Sequence, residues 1–137
     1  MEDKQLERLY DYTKFHIGIY LSAAGGLAAF ISLAAKGKPE TAFLRELVGM
    51  PATLALSFAL IVLAGIAGAI VATSTIESPS YTSFLTTKQG AYGVKPFAGK
   101  TWVTLEHAFF WLALVALAFA IFSAPAVGKL LWSTKGA

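Results

Sequence analysis

Three long stretches of this chain carry no charged residue: Phe15–Ala35, Leu47–Ile76 and Ala108–Val127. A helix of about 20 apolar residues crosses the ~30 Å hydrocarbon core of a bilayer. In lipid, every backbone N–H and C=O must find its partner inside the segment or in a closed barrel. The expected fold is therefore an all-α membrane protein. It has three transmembrane helices plus a short interfacial helix, in one integral membrane domain over residues 1–137.

Composition agrees. Of the residues, 56% are hydrophobic and 14% are charged, and the mean hydropathy is +0.63. Soluble domains carry about 25% charged residues. The net charge of +3 comes from scattered lysines and arginines. They form no run suited to neutralising phosphates, so a nucleic-acid partner has no basis. There is no cysteine, which removes disulfides and thiolate metal sites. The leader Met1–Lys14 mixes Glu2, Asp3, Glu7 and Asp11 with Lys4, Arg8 and Lys14. A signal peptide would start clearly positive, with an apolar core of about 7–15 residues. The longer run from Ile17 to Ala35 reads as a retained span.

The first span is expected over about 15–35. Residues 1–14 form its helical lead-in, because Leu6, Leu9, Tyr10 and Thr13 recur at helical spacing with no Gly or Pro before Phe15. Tyr12, His16 and Tyr20 are four apart and share a face. Ser22, Gly25, Gly26, Ala28 and Ala29 keep the middle small-sided. Lys36-Gly37-Lys38-Pro39 ends the helix. An interfacial helix is expected over about 39–48, with Phe43, Leu44, Leu47 and Val48 on one face and Arg45 and Glu46 opposite. The second span, about 52–74, presents Ala64, Gly68 and Ala72, with Gly65 and Ala69 beside them. Such small-residue stripes, including Gly25 and Gly26 in the first span, are helix-packing surfaces in lipid. Residues 76–100 read as a long polar loop. Tyr81, Phe84 and Leu85 make one amphipathic turn, and Gly90, Gly93, Pro96 and Gly99 oppose extended regular structure. Tyr81, Tyr92, Phe97 and Trp102 suit the membrane surface. The third span is expected over about 102–123, with a kinked continuation past Pro125 as an alternative, before a frayed tail at 133–137.

Three spans put the N-terminus and the 76–100 loop on one side and the 36–50 loop and C-terminus on the other. Lys4, Arg8, Lys14, Lys88, Lys95 and Lys100 balance Lys36, Lys38, Arg45, Lys129 and Lys135, so charge does not orient the chain. The mixed-charge leader favours a cytoplasmic N-terminus, in a cell or inner membrane.

This topology gathers His16, Glu77, Glu106 and His107 at one face. Both histidines of the chain are in this set. Two imidazoles and two carboxylates suit proton relay, ion access or a divalent metal. The plainer and favoured reading makes each an interfacial anchor, with Glu106 in the first turn of its helix and paired with Lys14 or Lys100. Adjacent Glu106 and His107 point about 100° apart on a helix, which weakens a shared ligand. Haem between His16 and His107 is a further reading. No phosphate loop, GxSxG, HExxH or SxxK motif occurs, so hydrolytic chemistry has no support. The expectation is a non-enzymatic subunit or interaction protein without a cofactor. Its partners are the lipid bilayer and either itself or other membrane subunits. The alternatives are a homo-oligomeric channel and a haem- or metal-binding redox subunit.

Overall fold

The computed structural model of the chain describes residues 2–133. The tail 134–137 lies outside the described residues. Three helices are long and apolar enough to cross a membrane, and the chain is a multi-span integral membrane protein. Helix α1 (Glu2–Ala35) is one unbroken helix of 34 residues, so lead-in and span are continuous. At 1.5 Å per residue it is about 50 Å long, well beyond the hydrocarbon thickness. Gly37 follows with φ +65°, the left-handed conformation that glycine supplies after a helix.

The 36–50 connection holds a 3₁₀ turn at Pro39–Thr41 and a short helix α2 (Ala42–Glu46). The regular part is shorter than the expected 39–48, because the chain after it is tied elsewhere. Gly49 donates its N–H to the carbonyl of Ala120 at 2.9 Å. A Cβ on Gly49 would meet the backbone of Ser123 at 2.2 Å, so only glycine fits this crossing. Arg45 turns back and donates from Nε to the carbonyl of Ala34 at 2.7 Å, satisfying a carbonyl that the end of α1 leaves open.

Helix α3 (Pro51–Glu77) starts on Pro51, whose missing N–H costs nothing at a first helical position. It is the common neighbour of α1 and of α5 (Gly99–Phe122). Its buried face is small, with Ser57, Ala64, Ala67, Gly68 and Val71. The core is Tyr20 from α1, Ile61 and Ala64 from α3, and Ala113 from α5.

One expectation is corrected, and the course of the chain at Pro125 is settled. The fold is mostly helical, but not all-α. After helix α4 (Tyr81–Thr86), the 76–100 region forms an antiparallel hairpin of β1 (Lys88–Ala91) and β2 (Val94–Ala98). Its turn, Tyr92-Gly93, has φ +53° and +80°, the pattern of a two-residue primed turn. Gly90 sits at the register shift between Gln89 and Ala91, where a Cβ would lie 1.8 Å from the Val94 carbonyl oxygen. The glycines that oppose long regular structure are the ones that make this short hairpin. It is tied to the start of α5 by a hydrogen bond from Trp102 Nε1 to the Gln89 carbonyl, 2.9 Å.

The third span, in turn, does not kink through Pro125. It stops at Phe122, and helix α6 (Pro125–Trp132) begins anew. Ala124 between them is extended, φ −68° and ψ 134°. The ring of a following proline pushes the preceding residue out of the helical region.

Candidate functional site

The face of α1 that carries Tyr12, His16 and Tyr20 turns toward α5, across the small face of α3. Glu106 of α5 is 0% exposed. It lies about 6 Å further along the helix than Trp102, four residues at 1.5 Å each. Tyr20, itself buried, donates its hydroxyl to Glu106 Oε1 at 3.0 Å. His16 Nδ1 stands 3.7 Å from the same oxygen, in ion-pair range but outside hydrogen-bond length. Gly68 makes room for the carboxylate. A Cβ there would meet Glu106 Cδ and Oε1 at 3.4 Å and Ile17 Cγ1 at 3.2 Å.

His107 reaches the cluster from its other side. Its Nδ1 is 2.8 Å from the carbonyl of Val103. A carbonyl only accepts, so Nδ1 carries the hydrogen, and in the neutral ring Nε2 is an acceptor. Tyr12, 48% exposed, places its hydroxyl 3.4 Å from that Nε2. The Tyr12 ring also lies against His16, with centroids 3.9 Å apart. The two imidazoles meet edge to face at 5.8 Å. From the exposed Tyr12, a continuous set of polar side chains thus runs inward through His107 and His16 to Glu106. It ends at Tyr20. Beyond lie Ile61, Ala64, Ala113, Leu27 and Phe110, an apolar core.

Three buried side-chain atoms in the described chain have no hydrogen-bond partner: Thr13 Oγ1, His16 Nδ1 and Glu106 Oε2. Thr13 is on α1 one turn before His16, so all three orphans fall in the same region of the bundle. Buried polar atoms are nearly always paired, and those that are not call for a reason.

The structure thus brings His16, Glu106 and His107 together and leaves Glu77 out. Glu77 is exposed at the end of α3, about 13 Å along that helix from Gly68. The last turn of α3 faces Asp3, Leu6, Glu7 and Tyr10 rather than His16. Both helices run on past their apolar stretches, which displaces Glu77 from the depth of the histidines. The placement of Glu106 in a first helical turn is corrected for the same reason. Helix α5 begins at Gly99, and neither Lys14 nor Lys100 pairs with the carboxylate. Among the described residues no three His, Asp or Glu side chains form a set able to hold a metal ion. Tyr12 and Tyr20 complete the cluster. Their spacing from His16 was the readable signal, since a face shared with a histidine inside a span marks what surrounds it.

Of the small residues, Ala64 and Gly68 are buried, while Gly65 and Ala72 are partly covered. Tyr20 Cβ would lie 3.9 Å from a Cβ on Gly65. Gly25 and Gly26 are different. Both are exposed, and a Cβ on either would meet nothing within 4 Å.

The chain matches no family model, no curated protein sequence and no solved structure.

Proposed function

We propose that this small multi-span helical membrane protein acts as a non-enzymatic subunit that assembles with copies of itself through α1. The observation behind this reading is the open small-residue edge of α1. Gly18, Ser22, Gly25 and Ala29 follow one another at helical spacing, and all four are exposed. Built Cβ atoms on Gly18 and Gly25 touch nothing. Only 6% of the most apolar 18-residue stretch of α1 is buried within the chain's own fold, against 44% for α3.

Lipid tails are as apolar as leucine, so hiding apolar surface does not drive helices together in a membrane. Close backbone approach does, and small residues at this spacing permit it. A flat stripe is also complementary to a second copy of itself. The test is disulfide cross-linking of a Ser22→Cys variant in native membranes, with and without Gly25→Leu. A dimer band that Gly25→Leu abolishes is expected. A strictly monomeric Ser22→Cys protein rejects self-assembly, and so does cross-linking only to other polypeptides.

A further inference from the structure

We propose that Glu106 and His16 hold one exchangeable proton between them, and that it enters and leaves only at the membrane face bearing the hairpin, by way of Tyr12 and His107. Glu106 is fully enclosed. An ion at such a place is costly unless it is compensated. With one proton the pair is neutral overall in either arrangement, carboxyl with imidazole or carboxylate with imidazolium. With none or two it carries a net buried charge. Interconversion breaks the His16 Nδ1–H bond and forms an O–H bond on Glu106 Oε1, leaving the net charge unchanged. The 3.7 Å separation comes within reach by a small rotation of the imidazole. Catalytic and relay contacts are commonly long at rest.

The surroundings restrict the proton to these groups. From α1 the carboxylate meets His16 and Tyr20, with Tyr12 one turn above. From α5 itself comes His107. Helix α3 presents Gly68 and no titratable side chain. The Tyr20 hydrogen bond holds Oε1 in place, while Oε2 and His16 Nδ1 remain unpaired, which is the arrangement a group that must gain and lose a proton requires. Access is one-sided because Tyr12 is exposed and His16 partly so at one end, whereas Ile61, Ala64 and Ala113 close the other.

The experiment is infrared difference spectroscopy on the full chain in lipid nanodiscs, stepping between about pH 5 and pH 8, the range where histidine changes charge. The Glu106 signal is identified by its loss in Glu106→Gln. It is expected to be altered in His16→Gln, and shifted in Tyr20→Phe, which keeps the ring and its packing. If each group's signal is unchanged by substitution of the other, the shared proton is overturned. Sidedness is read in phosphatidylcholine vesicles whose orientation is established by tryptic cleavage at the exposed Lys88. A pH jump on the hairpin side is expected to produce the signal, and a jump on the other side to leave it flat. Equal responses from the two sides overturn one-sided access.

Discussion

Glu106 is expensive where it stands, and its neighbours are arranged to bear the cost only in part. Tyr20 gives it one hydrogen bond, and Oε2 has none among the described residues. Replacing a buried ionic or polar pair by apolar groups of similar volume is often neutral or stabilising, while removing one member alone is costly. Tyr20→Phe should therefore lower the stability of the bundle by about 1–3 kcal/mol, the cost of leaving a buried acceptor unpaired. The double variant Glu106→Leu/Tyr20→Phe should melt at or above the wild-type temperature. Thermal unfolding in detergent, followed by circular dichroism, measures both. A double variant much weaker than Tyr20→Phe alone would mean that the carboxylate serves structure rather than chemistry. The sequence already placed His16, Glu106 and His107 at one face, because helix direction alternates from span to span. It misplaced Glu77, because the depth of a residue depends on where helices end. An apolar run does not show that, since α1 and α3 both continue in polar sequence.

At the scale of elements, the hairpin is the part least legible beforehand. Its strands are short, and their hydrophobic alternation is broken by Gly90 and Pro96. The decisive signal was two residues long, Tyr92-Gly93, and a turn of that type needs positive φ at both positions. Tyrosine does not announce such a conformation, whereas asparagine or aspartate would. Gly90 carries the matching constraint, as its missing Cβ makes room for the Val94 carbonyl. Gly90→Ala should unravel residues 88–98 while leaving the spans intact. Hydrogen exchange is the measurement, with protection lost in the hairpin and retained in α3 and α5. Protection preserved at β1 and β2 would refute this account of the bulge. The break at Ala124, by contrast, was readable from Pro125 alone, since the residue before proline avoids the helical region. The length of the apolar stretch argued for continuation, and local sterics outweighed it.

For the whole molecule, the three spans followed from charge-free length, a signal strong enough to survive any local ambiguity. What length cannot supply is which faces remain uncovered. Several hydroxyls of α3 are committed to backbone carbonyls. Ser57 donates to the Ala113 carbonyl at 2.8 Å, and Thr73 and Thr75 donate to carbonyls of their own helix. Reconstituted vesicles should accordingly show no ion flux above that of empty vesicles at any salt composition. A reproducible conductance would revive the channel reading and require an assembly whose axis is lined by α1.

Because α3 is the neighbour shared by α1 and α5, the order of synthesis acquires a meaning. Chains are made from the N-terminus, so α1 reaches the bilayer first, with His16 and Tyr20 already inside and nothing yet to meet them. Docking of α3 supplies Gly65 and Gly68 but no polar partner. Only when α5 arrives does Tyr20 gain its acceptor. Until then the nascent protein holds polar groups in lipid without their final bonds, a condition that costs several kcal/mol per group. The cluster thus closes only when α5 docks, after α1 and α3 are already in the bilayer.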